Sequence, residues 1–65
     1  MEQINAQGSG FSIQELIGEA DRELALRRQF YWSRVRAGRM RQSDADKRIA
    51  LMEAIVKRLI VTAAV

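Results

Sequence analysis

The sequence predicts an all-α fold: an antiparallel two-helix hairpin, expected to pair with a second copy as a dimeric four-helix bundle. Three observations predict it. Apolar residues recur at helical spacing in two long stretches, no proline interrupts either one, and a short link beginning with glycine joins them. A short link between two amphipathic helices makes them run antiparallel.

Residues 1–11 are mostly polar and include Gly8-Ser9-Gly10, which predicts a flexible leader before a helical hairpin over residues 12–65. The segment Ser12-Ile13-Gln14-Glu15 fits a capping box, with Ser12 as N-cap and Glu15 at the third helical position. Phe11 and Leu16 flank it at the positions of a hydrophobic staple. A first helix is therefore expected over about 13–37, roughly 37 Å long at helical rise. Its core stripe is Ile13, Leu16, Ile17, Ala20, Leu24, Tyr31 and Val35. Gly38 stands where a left-handed C-terminal cap belongs, with Arg34 and Arg36 in the last turn.

The turn is expected over 38–42. Ser43-Asp44-Ala45-Asp46 reads as the second helix start, with Ser43 as N-cap and a helix over about 44–62. Its core stripe is Ala45, Ile49, Met52, Val56, Leu59 and Ala63. Antiparallel pairing about the turn places Val35 opposite Ala45, Tyr31 opposite Ile49, Leu24 opposite Val56 and Ala20 opposite Leu59.

Each helix carries a second apolar stripe beside its core stripe: Leu26 and Phe30 on the first, Leu51 and Ile55 on the second. Both stripes fall on one face of the hairpin at matching levels. A two-helix hairpin has no third layer to cover them, so Leu26, Phe30, Leu51 and Ile55 are expected to be a self-association surface. The plainer alternative is that the leader or the C-terminal tail folds over this face.

On the opposite face Arg28, Trp32 and Arg36 align at i, i+4 and i+8, with Glu53 of the second helix near the level of Arg28. With the turn residues Arg39 and Arg41 they are candidates for binding a partner. The plainer reading is a tryptophan covering a helix edge, with arginines packed on it and paired to Glu53 or Asp46. Arg27 lies inside the core stripe and requires either an acidic partner, such as Glu23 one turn earlier, or a route to water.

Sixty-five residues make one small domain, which buries a modest share of its surface and gains stability by associating. Cysteine and histidine are both absent, which excludes disulfides, Cys/His zinc sites and a histidine acid–base. Ser12 and Ser43 read as caps, the acids sit at helix starts or beside bases, and no phosphate-binding glycine loop or carboxylate metal cluster is visible. No enzyme activity, cofactor, metal or small-molecule substrate is therefore expected. The apolar run Leu59–Val65 is too short for a membrane span, which needs about 20 residues. No signal peptide is visible, so a cytoplasmic location is expected.

The net charge of +3 is unevenly spread. Residues 1–24 carry five acids and one arginine, whereas residues 25–41 carry six arginines and no acid. Helix dipoles account for part of this. The rest makes nucleic acid the alternative partner, with the arginines of 27–41 on phosphates and Trp32 or Tyr31 stacked on bases. Against it, those arginines spread around the helix, and the chain lacks the third helix of an ordinary helix-turn-helix domain.

The segment Glu23–Ile55 resembles a group of small uncharacterised proteins encoded by phages and prophages of proteobacteria. The shared pattern is carried by Arg27-Arg28, Tyr31, Val35, Gly38-Arg39-Met40, Ser43, Ala45-Asp46, Ile49 and Met52-Glu53. The pair Tyr31-Trp32 followed by Ser33 departs from members with a Tyr-Pro-x-Trp run. The resemblance implies a phage or prophage origin and supplies no activity. The expected function is that of a small non-enzymatic adaptor or modulator that binds another, unidentified protein.

Overall fold

The computed structural model describes residues 10–64, which form two helices, α1 over Ile13–Arg36 and α2 over Gln42–Ala63. The expected leader lies almost wholly outside the described residues. The helices pack against each other as an antiparallel hairpin.

Helix α1 begins as its first residues dictate. The Ser12 hydroxyl accepts from the Glu15 backbone N–H at 3.1 Å, and the Glu15 carboxylate accepts from the Ser12 backbone N–H at 2.9 Å. Two donors that a helix start would leave unpaired are thereby satisfied. The helix ends one residue before the expected position, with Ala37 as the C-cap. Gly38 follows at φ +73°, a left-handed conformation that glycine adopts without steric cost. Its N–H donates to the Val35 carbonyl, and the Arg39 N–H donates to the Arg34 carbonyl at 2.9 Å. This pair of bonds is a Schellman motif, which closes the last carbonyls of α1 and reverses the chain.

Helix α2 starts earlier than the capping pattern suggests. Its N-cap is Arg41, without a side-chain cap bond, so Ser43 lies within the first turn and is not the cap. Three residues, Arg39 to Arg41, suffice to leave the glycine turn, and the chain enters the helix directly. Asp44 supplies negative charge to the first turn, which offsets the missing side-chain cap through the helix dipole. The Gln42 side-chain amide donates to Asp46 at 3.2 Å, further tying down this turn.

The core is small. Leu24, Ile49, Met52 and Val56 form one buried cluster, with Ala20, Tyr31 and Trp32 packed against it, and Ala45 is fully buried near the turn. The core stripe expected for α2 is therefore inside, with Leu59 and Ala63 half-buried toward the open end. In α1, Leu24 is buried, while Ile13, Ile17, Ala20, Tyr31 and Val35 are half-buried. Leu16 departs from the expectation and is exposed. On the helical wheel it lies on the flank of the stripe through Ile13, Ile17 and Leu24, so it lines a surface depression with Phe11 and Glu19 and does not face α2.

Candidate functional site

The face bearing Leu26, Phe30, Leu51 and Ile55 is open to solvent. These residues are 49%, 57%, 54% and 50% exposed, far more than large apolar side chains of a closed core. Leu51 and Ile55 line a groove of about 210 Å³ together with Arg27, Tyr31, Arg48 and Met52. That lining joins the two helices into one surface. Tyr31 reaches it from the interface, and its ring meets Phe30 edge-on at 5.7 Å between centroids. Arg34 lies over the Phe30 ring at 5.4 Å from its centroid, so the exposed aromatic also carries a cation on one side.

Arg27 is not held in the core. Its side chain turns outward, and Nε meets the Glu23 carboxylate at 3.2 Å. The arginine thus satisfies its charge locally and leaves its stem along the groove. A second depression, about 430 Å³, lies beside the turn and is lined by Met40, Asp44, Lys47, Arg48 and Leu51. A third, at the start of α1, is lined by Phe11, Glu15, Leu16, Gly18 and Glu19.

On the other face, Arg28, Trp32 and Arg36 follow one line along α1. Arg28 and Arg36 are exposed, whereas Trp32 is half-buried and packs on the core cluster. Arg28 donates to Glu53 across the interface. Trp32 thereby covers the edge of the core, and Arg28 is engaged within the hairpin. Arg39 and Arg41 are exposed in the turn and at the entry to α2. Among the described residues, ion pairs involve Arg22, Arg27 and Arg28, and none involves Arg36, Arg39 or Arg41. These last three guanidiniums offer donors to an anionic group near the turn.

At the open end Glu19 accepts from Arg22 at 2.8 Å. That hydrogen bond, and secondarily the charge of Arg22, lowers the Glu19 carboxyl below its ordinary range. The Arg22 guanidinium is raised by the same contact. No group of three or more potential metal-ligating side chains is found among the described residues. No described helix is long and apolar enough to cross a membrane.

The sequence reading missed the exposure of Ile60 and Val61 near the end of α2. The only signal was the uncharged run in which they stand. Comparison with family models, curated proteins and solved structures found no match.

Proposed function

We propose that this chain is a self-associating helical hairpin that pairs as a four-helix bundle and serves as a small, non-enzymatic, protein-binding adaptor or modulator. A cytoplasmic setting and a phage or prophage origin belong to the same reading. The observation that carries it is that four large apolar side chains, Leu26 and Phe30 on α1 and Leu51 and Ile55 on α2, are each about half exposed. Faces of this kind mark sites of association, and a hairpin with so few buried residues gains stability by covering one.

The experiment is light scattering on the double variant Leu26→Glu/Ile55→Glu. The unmodified chain is expected at the mass of a dimer, and the variant at that of a monomer with reduced thermal stability. A variant that keeps the dimer mass removes this face as the interface. The protein partner is sought by affinity capture from the native host, with nuclease and high-salt washes.

A second reading, an accessory protein that binds nucleic acid, draws on Arg36, Arg39 and Arg41 gathered around the turn. It predicts binding to generic DNA that weakens steeply with salt and is lost on charge reversal of Arg34, Arg36 and Arg39.

A further inference from the structure

We propose that two copies of this chain pack antiparallel, so that the arginine-rich turn of each lies against the open, acidic end of the other. The inference rests on the self-association reading and adds the orientation, for which that reading alone has no preference. The apolar face is centred close to mid-length. Leu51 and Ile55 straddle the middle of α2, and Leu26 and Phe30 lie at corresponding levels of α1. A two-fold axis through this face therefore overlays most of both hairpins, whether it stands across the helices or runs along them. Packing of the apolar residues permits both arrangements.

Charge separates them. The open half contains residues 13–24 of α1 and 53–63 of α2. Its α1 part has four acids against Arg22, and its α2 part has Glu53 against Lys57 and Arg58, a net charge of −2. The turn half, residues 25–52, carries Arg27, Arg28, Arg34, Arg36, Arg39 and Arg41, while Asp44 and Asp46 cancel Lys47 and Arg48, a net of +6. A parallel pair sets +6 beside +6 within a helix diameter, where screening over a Debye length of about 8 Å is incomplete. The antiparallel pair sets +6 beside −2 at both ends. With the axis at the centre of the face, Arg34 of one copy falls opposite the Glu19–Glu23 span of the other. Like charges placed together select against the wrong register, and opposite charges favour the right one.

The chain has no cysteine, so a single label site can be introduced cleanly. Ser43→Cys is exposed and lies at the turn end of α2. Spin-labelled Ser43→Cys protein is measured by double electron–electron resonance, with its mass taken by light scattering and its helicity by circular dichroism. Antiparallel packing separates the two labels by about 30 Å, from helical rise over the intervening levels. Parallel packing brings them to roughly 15 Å, close to one interhelical spacing plus the label linkers. A dimer with the long distance supports the proposal. A dimer with the short distance overturns the orientation and leaves self-association standing. A monomer overturns both, and a larger assembly overturns the two-fold pair. If Ser43→Cys loses helicity, Thr62→Cys at the open end gives the same pair of distances and the same outcomes.

Discussion

Arg28 and Glu53, 25 positions apart in the chain, meet across the helix interface with Nη2 at 2.6 Å from Oε2. Among the described residues it is the only ion pair that joins α1 to α2, since Arg22–Glu19 and Arg27–Glu23 lie within α1. Its two side chains are 46% and 50% exposed, so water competes for both charges. Exposed pairs contribute about 0.2–1 kcal/mol. The apolar cluster around Leu24 must therefore hold the hairpin, with the ion pair trimming its register.

A double-mutant cycle over Arg28→Ala and Glu53→Ala should give a coupling energy below about 1 kcal/mol. Leu24→Ala, by contrast, should cost roughly 2–5 kcal/mol, because it leaves a cavity inside the cluster. Chemical denaturation followed by circular dichroism measures both. A coupling that exceeded the loss at Leu24 would reverse this ranking.

The two serines at helix starts should behave differently. Ser12→Ala removes one half of a formed capping box and should destabilise by about 1 kcal/mol. Ser43→Ala removes no cap, since Arg41 holds that position, and should change stability by less than about 0.5 kcal/mol. Equal losses at both sites would mean that Ser43 caps after all.

Two glycines should respond with opposite sign. Gly38→Ala forces a side chain into a left-handed conformation and should cost about 1 kcal/mol. Gly18 sits in the interior of α1 with nothing within 4 Å of an added Cβ. Gly18→Ala should stabilise by roughly 0.5–1 kcal/mol, through helix propensity and a less mobile unfolded chain. Thermal melts of the two variants should shift in opposite directions. A loss of stability at Gly18→Ala would point to close packing at that position in the assembled protein.

The Glu19 carboxyl titrates below the ordinary carboxylate range because Arg22 bonds to its charged form. In the folded state Glu19 therefore binds fewer protons than in the unfolded chain as pH falls through the carboxylate range. Its contribution is present above the unfolded value and disappears as pH drops through the lower folded one. Because both groups face water, the effect on stability is small. An NMR titration should show the Glu19 midpoint rising in Arg22→Gln, and an unmoved midpoint would exclude Arg22 as the cause.

Much of this protein could be read along the chain, because the signals are local. Ser12 and Glu15 are three residues apart, and their bonds form within one turn of helix. Gly38 is required by the backbone conformation of a single residue. The periodic placement of Ile49, Met52 and Val56 follows from helical geometry alone. That Leu26, Phe30, Leu51 and Ile55 are left exposed was legible too, since a two-helix hairpin has no third layer to cover them. Where the reading fell short, the cause lay in the meeting of the helices. Leu16 has the spacing of a core residue, yet it is exposed because it lies on the flank of the stripe that α2 covers. Ser43 has the pattern of a cap, yet the tight turn at Gly38 delivers the chain to α2 two residues sooner.

Sequence by itself determined that there are two helices, where the chain turns between them, and which stripes are apolar. Only the tertiary structure decided that Arg27 leaves the core for Glu23, that Trp32 covers the edge of the cluster, and that Arg28 joins Glu53. The physical reason is reach: caps and periodicity act over one turn of backbone. The burial of a long side chain depends on what the opposing helix places at its level.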